Sequence, residues 1–311
     1  MKRVLVTGAA GTIGIRTIKY LLSEGKYEVT ALDLKNRKHY KKLKKYRKRI
    51  DIVYADANNR EVIDSLVKES DVIIHLAGTL PCYANITEDM MRNNEYSITK
   101  LIVDAIRKYN ADCFLIYSSS TSVYEKEDEL KSVSSKVKGN CYYSKYKVKA
   151  EKYIARYLKN YCIARLSYIL GDLRKDNLIY NIDLNTKLEP VTVDNAAYGL
   201  VAIIDNRKKL NKRVINITGG KEYRIIYRDL LLQILEKYGI TWKIFCSILF
   251  EEKNYLEGYF KEEGIDKILQ FRTRSINNYY SSLNKYKKDV RRLLPRLIAM
   301  PFIWIIRAKN K

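Results

Sequence analysis

The chain has little of what usually breaks, cross-links or metallates a protein. Its 311 residues include only 13 glycines and 4 prolines, which excludes collagen-like and low-complexity architectures. Each glycine therefore carries more information than usual. The five cysteines, Cys82, Cys113, Cys141, Cys162 and Cys246, are odd in number and form no CxxC pair. That argues against a disulfide framework or structural zinc, and for buried free thiols in a reducing cytosol. The two histidines, His39 and His75, stand in no Cys/His/Asp cluster, so no metal site is expected. The N-terminus enters a strand at once, with no signal-peptide pattern. Near the other end Leu297–Ile306 is apolar, but ten residues are too few to span a bilayer, and Pro301 interrupts them.

Positive charge is abundant. There are 59 Lys and Arg against 35 Asp and Glu, a net charge of +24. Lys35 to Arg49 alone holds ten basic residues and no acid. No RNA-recognition, zinc-finger or homeodomain pattern accompanies it, so it reads as a solvated helix and loop, and nucleic acid is not an expected partner. The basic residues around Leu297–Ile306 (Arg291, Arg292, Arg296, Arg307, Lys309, Lys311) leave two readings: a peripheral helix on an anionic membrane, or a final helix packed on the body. Apolar residues are 47% of the chain, enough for a sizeable core.

Short apolar runs alternate with helical spacing through the first half. Strands are expected at Arg3–Thr7, Tyr27–Leu32, Ile50–Tyr54, Asp71–Leu76, Asp112–Tyr117 and Cys162–Leu166. Helices are expected at Ile13–Ser23, Val62–Val67, Ile98–Tyr109 and Tyr142–Lys159. This alternation, with continuous apolar strands, predicts an α/β fold with a Rossmann-type, doubly wound parallel sheet. After Gly171 the alternation loosens. The expected division is a cofactor-binding domain over 1–170 and a smaller, mainly substrate-binding region over 171–311.

The segment after the first strand reads Gly8-Ala9-Ala10-Gly11-Thr12-Ile13-Gly14. In a strand–turn–helix context, Gly8 permits the tight turn, Gly11 lets a pyrophosphate approach the backbone, and Gly14 lets helix and strand pack closely. The phosphates would lie at the helix N-terminus, against Thr12 and Ile13. Asp33 follows Gly14 by 19 residues, at the end of the second strand. An acid there accepts hydrogen bonds from ribose hydroxyls and repels a 2′-phosphate, so NAD is expected rather than NADP.

The GxxGxxG spacing resembles the extended short-chain dehydrogenase/reductase family, in its epimerase/dehydratase group acting on nucleotide sugars, UDP-glucose 4-epimerases among them. Further landmarks follow in that family's order. Asp56-Ala57 is similar to the acid at the adenine. His75-Leu76-Ala77-Gly78 is similar to the strand end lining the cofactor. Ser118 to Tyr124 resembles SSSxxVYG, and Arg165 to Gly171, Val191 to Ala197 and Asn216 to Gly219 resemble later elements. The resemblance covers about residues 1–235; beyond, only Phe271-Arg272-Thr273-Arg274 suggests it. The family's Tyr-x-x-x-Lys pair occurs three times, at Tyr40/Lys44, Tyr96/Lys100 and Tyr143/Lys147. Only the last follows the serine strand, 23 residues after Ser120.

The resemblance implies that Tyr143 exchanges a proton with a substrate hydroxyl as hydride moves to NAD. Lys147 would bind the nicotinamide ribose and lower the Tyr143 pKa, and Ser120 would hold the reacting oxygen. It implies cofactor contacts from Leu76, Ala77, Gly78 and Ser118, and a substrate diphosphate site at Arg272 and Arg274. Glu125, Ser144 and Tyr146 depart from the pattern. Thr121-Ser122 stand where family dehydratases carry an Asp-Glu pair, which argues against a 4,6-dehydratase. The expected activity is epimerisation of a nucleotide sugar. Alternatives are net oxidation or reduction of a sugar, steroid or other carbonyl, and a non-catalytic NAD-binding sensor or scaffold at a membrane. A homodimer through the Ile98–Tyr109 and Tyr142–Lys159 helices is also implied.

Overall fold

A computed structural model describes residues 1–79, 87–125, 130–171, 182–237 and 257–283. Its strands are β1 (Lys2–Thr7), β2 (Tyr27–Asp33), β3 (Asp51–Tyr54), β4 (Val72–His75), β5 (Phe114–Ser120) and β6 (Tyr161–Leu166), then the short β7 (Ile169–Leu170), β8 (Lys187–Leu188) and β9 (Val191–Thr192), and finally β10 (Arg213–Ile217) and β11 (Ile225–Ile226). The helices used below are α1 (Thr12–Glu24), α2 (Arg37–Leu43), α3 (Arg60–Lys68), α4 (Glu88–Met91), α5 (Ile98–Tyr109), α6 (Tyr142–Tyr157) and α7 (Val193–Asp205).

Seven strands form one sheet in the order β3-β2-β1-β4-β5-β6-β10, and every adjacent pair is parallel. Alternation along the strands builds two cores. Val4, Val6, Val29 and Ile74 join α1 and α7 on one face. Leu5, Leu32, Ile73, Leu115 and Ile163 join α3, α5 and α6 on the other. Both faces are covered, so the strands read as continuous apolar runs. The expected α/β, doubly wound, Rossmann-type sheet is present.

The strand order reverses between β1 and β4. Ligands of such sheets bind at that switch point, outside the carboxyl ends of the strands. Thr7, Asp33, His75 and Ser120 all end their strands on that edge. β5 runs past its apolar stretch through Ser118-Ser119-Ser120, because the buried Ser119 hydroxyl finds a partner, donating to Glu151 on α6 at 2.5 Å. After β6, residues 193–217 return to the sheet: α7 packs in the α1 core and β10 extends the sheet beside β6. A separate cluster, including Tyr168, Leu188, Tyr223, Tyr227 and Tyr280, forms beyond it. The C-terminal apolar segment and its flanking basic residues lie outside the described residues. No helix among the described residues is long and apolar enough to cross a membrane.

Candidate functional site

The glycine turn is shaped by close backbone approach. Gly8 has φ +65°, and a Cβ there would lie 2.7 Å from the Ala77 nitrogen. A Cβ on Gly14 would lie 2.4 Å from the Gly8 carbonyl oxygen. Gly11 donates its N–H to that same carbonyl at 3.0 Å. Gly11 and Thr12 are exposed at the start of α1, with Ile13 half-buried behind them. The helix has no side-chain cap and no acid in its first turn. Its first N–H groups and positive dipole end therefore face an open cradle, which fits a pyrophosphate.

Asp33 closes one side of the cradle. Its carboxylate accepts hydrogen bonds from the N–H of Ala10 at 2.7 Å and of Leu34 at 2.8 Å. His39 reaches back from α2, its Nδ1 2.8 Å from Asp33 Oδ1. Lys42 of α2 donates to the Ala10 carbonyl. The basic stretch is thus tied to the cradle at two points, more than the solvated surface expected for it. Asp56 is exposed and accepts from the Asn58 N–H at 2.8 Å, with Ala57 buried beside it.

His75 is buried beneath Leu76-Ala77-Gly78. Thr99 donates its hydroxyl proton to the Glu95 carbonyl, so His75 Nε2–H must donate to Thr99 Oγ1, at 3.0 Å. Nδ1 then accepts from the Thr7 hydroxyl at 2.7 Å. Burial, with Lys147 nearby, pushes the imidazole pKa down to about 3. His75 is a neutral pin between β1 and α5, not a base.

Ser120, Tyr143 and Lys147 converge at the end of β5. The Ser120 hydroxyl caps the turn Thr121–Val123, accepting from the Ser122 N–H at 3.2 Å and the Ser122 hydroxyl at 2.9 Å. Tyr143 lies in the first turn of α6, and Lys147 follows one turn later. The Lys147 ammonium sits 5.5 Å from the Tyr143 ring centroid and 4.9 Å from that of Tyr117. It donates to the Ser118 carbonyl at 2.9 Å. The other two Tyr-x-x-x-Lys pairs lie elsewhere: Lys44 covers Tyr40 on the basic helix, and Lys100 pairs with Asp104.

One partner was not foreseen. The carboxylate of Glu95, itself 1% exposed, pairs with Lys147 at 2.8 Å. Glu95 lies in a π-helical turn, Arg92–Ser97, inserted between α4 and α5. A 3.6-residue period cannot anticipate such a turn, and the segment reads as uniformly polar. The electrostatics differ from expectation accordingly. Burial raises the Tyr143 pKa; Lys147 opposes this, Glu95 adds to it, and a Ser120 hydrogen bond lowers it, the net direction being upward. Burial would lower Lys147, but Glu95 with Tyr117 and Tyr143 holds it well above the ordinary lysine value. The cation alone does not make Tyr143 acidic, because burial outweighs it and Glu95 adds to the burial.

The departures from the family pattern have local reasons. Ser144 is the third helical residue of α6, and its hydroxyl accepts the Cys141 N–H at 3.1 Å, fixing the start of the helix. Tyr146 donates to Glu88 at 3.0 Å, joining α6 to α4. Glu125 pairs with Lys136 at 2.9 Å and Lys138 at 3.1 Å. Thr121 is buried and donates to Glu257 at 3.2 Å, a carboxylate brought there from far along the chain. Glu257 also accepts the Tyr168 N–H at 2.9 Å. Arg272 pairs with Glu262 at 2.8 Å and donates to the Thr218 carbonyl at 3.2 Å. Arg274 is exposed, and its backbone N–H donates to Asn195 at 3.0 Å.

A parallel sheet with this strand order, a glycine cradle at its switch point and a Ser–Tyr–Lys set across the same edge define a Rossmann-type dinucleotide enzyme fold. The match to the NAD-dependent epimerase/dehydratase family extends over residues 4–218, and the chain belongs to that family of enzymes. UDP-glucose 4-epimerase of Bacillus subtilis (strain 168) is 30% identical over 128 residues, 39% of this chain and 37% of that protein. CDP-paratose 2-epimerase of Salmonella typhi is 25% identical over 146 residues, 45% and 43% of the two chains. The alignments thus span about two fifths of these relatives' lengths. Among solved structures, UDP-glucuronic acid 4-epimerase from Bacillus cereus with NAD superposes with a TM-score of 0.75 at 20% identity, covering 93% of this chain and 99% of that one. DesIV, a dTDP-glucose 4,6-dehydratase from Streptomyces venezuelae with NAD bound, gives 0.77 at 18% identity, covering 92% and 97%. At these identities the structural likeness speaks for the fold.

Proposed function

We propose that the chain is an NAD-dependent epimerase of a nucleotide sugar. The observation that carries this reading is the convergence of Ser120, Tyr143 and Lys147 at the end of β5, on the same sheet edge as the Gly8/Gly11/Gly14 cradle and Asp33. The cradle would hold the pyrophosphate, and Asp33 the adenosine ribose. Asp56, Ala57, Leu76, Ala77, Gly78 and Ser118 would line the remainder, and Lys147 would donate to the second ribose. When bound, NAD supplies a reversible hydride acceptor. Tyr143, in its phenolate form, would take the proton of a sugar hydroxyl as that carbon is oxidised, becoming the phenol, and would return it after the ketone has presented its other face. Ser120 would hold the reacting oxygen by a hydrogen bond. Arg272 and Arg274 remain the proposed diphosphate contacts, with Arg272 having to share its guanidinium with Glu262. Thr121-Ser122 favour this reading over dehydration, since neither hydroxyl can serve as a carboxylate base at neutral pH; Glu257 behind Thr121 is committed to the Tyr168 backbone. Homodimerisation through α5 and α6 belongs to the same reading; beside these helices the half-buried Tyr96, Tyr153 and Tyr157 meet edge-on and tilted.

The test is to offer UDP- and CDP-linked hexoses and hexuronates and follow sugar stereochemistry by NMR. Interconversion without net NADH formation is expected, and Tyr143→Phe should lower its rate by a factor of roughly 10²–10⁴. Undiminished turnover by Tyr143→Phe would remove the mechanism. Stoichiometric NADH would replace epimerisation with net oxidation.

A further inference from the structure

Glu95 is a buried carboxylate that the reaction outlined above does not use. Three observations place it at the centre of the site. It pairs with Lys147 at 2.8 Å, with only 1% of the Glu95 side chain and 7% of the Lys147 side chain exposed. Its other oxygen accepts the Thr79 N–H, and a Cβ on Gly78 would lie 2.6 Å from it, so the carboxylate lies directly against the segment after β4. It is carried by a π-helical turn, a rare insertion that costs helix geometry and often marks functional positions. Asn94 of the same turn also holds Thr79, donating to its hydroxyl at 2.7 Å.

A lysine ammonium has three N–H donors. Lys147 donates one to the Ser118 carbonyl and holds Glu95 as an ion pair at 2.8 Å, so at least one donor is left for a ligand. The groups around it are few. β5 contributes Tyr117, Ser118 and Ser120; α6 contributes Tyr143, with Cys141 at its cap and Glu151 one turn beyond Lys147; β4 contributes the neutral His75. Glu151 is already paired with Arg165. Glu95 is therefore the only negative charge paired with Lys147 among the described residues, and the pair sums to zero.

We propose that Glu95 is a positioning residue that serves as the counter-ion of Lys147: it keeps the ammonium charged and aimed at the ribose, and it sets the local charge to zero, so that the oxidised, cationic form of the cofactor is not repelled. The inference rests on the proposed cofactor role of Lys147. A lone buried ammonium would favour NADH, whose nicotinamide is neutral, over NAD⁺. A matched pair removes that bias. An enzyme that must begin each turnover from the oxidised cofactor needs this balance.

The experiment is calorimetric titration of the nucleotide-free full chain with NAD⁺ and with NADH between pH 6 and 9. In Glu95→Gln the affinity for NAD⁺ relative to NADH should fall at pH 6 on the order of tenfold, the effect of one uncompensated charge at about 10 Å in an effective dielectric of about 20. The ratio should recover as pH rises and Lys147, now without its partner, loses its proton. In the double variant Glu95→Gln/Lys147→Gln both affinities should drop, yet the ratio should match the wild type within about twofold, since the pair is again neutral. A Glu95→Gln ratio equal to the wild type at pH 6 overturns the proposal. If Glu95→Gln does not fold, a tenfold change of ratio in the double variant overturns it instead. Tyr143→Phe separates this from the activity: if it turns over normally, the epimerase reading fails, whereas an unmoved binding ratio beside an inactive Tyr143→Phe defeats only the role of Glu95.

Discussion

His75 shows how a single side chain couples the site to stability. Its two ring nitrogens are held by Thr7 and Thr99, and its pKa of about 3 lies far below the ordinary value of 6.5. The folded state therefore leaves it neutral where the unfolded chain binds a proton. Between those two values the unfolded state takes up more protons, so stability falls as pH drops below about 6.5. From pH 6.5 to 5 this group alone should remove about 1.6 kcal/mol. Urea unfolding at both pH values should show that loss in the wild type. His75→Gln should be weaker at neutral pH and should lack most of the slope. An equal slope in both would assign the acid sensitivity to other groups.

At the scale of elements, α1 and its turn are held by backbone contact, not by side-chain capping. Gly14→Ala would press a methyl group against the Gly8 and Ala9 carbonyls at 2.4 and 2.7 Å. Backbone cannot yield as a flexible side chain does, so a cost of about 2 kcal/mol and a marked loss of NAD affinity are expected. Gly25 ends the same helix with φ +67° and nothing within 4 Å of its would-be Cβ. Gly25→Ala should therefore cost about 1 kcal/mol from conformation alone and leave NAD affinity unchanged. Thermal unfolding and nucleotide titration of the two variants distinguish a shaped cradle from a merely permissive turn. The link between α6 and β6 is of another kind: Glu151 and Arg165 form a buried pair at 2.6 Å, which also receives the Ser119 hydroxyl.

Across the whole molecule the net charge of +24 acts against compactness. Most lysines among the described residues are exposed, where salt screens them within about 10 Å at 0.1 M. Raising ionic strength from 10 to 150 mM should therefore raise the urea midpoint, with the slope of the transition unchanged. A lower midpoint in salt would mean that surface pairs such as Lys26–Asp205 outweigh the general repulsion.

Much of this was legible along the chain because its causes are local. Strand and helix periods, the Gly8/Gly11/Gly14 spacing and the strand-end position of Asp33 depend on neighbours in sequence. Position and the sequence that follows also singled out Tyr143/Lys147 among three similar pairs, and that pair lies beside Ser120 at the end of β5, since a strand–turn–helix order constrains where its ends meet. What local pattern could not express was which buried charges would face one another. The π-helical turn rotates Glu95 inward onto Lys147, Glu257 arrives at Thr121 from 136 residues away, and His39 folds back on Asp33. At Tyr143 and Lys147 burial, with Glu95 beside them, shifts proton affinity, and that burial exists only once the sheet and its helices have closed. The residue types of the proposed chemistry, Tyr143 among them, were therefore written along the chain, while the proton affinities of Tyr143 and Lys147 were decided by tertiary contact, because only that contact buries them against Glu95.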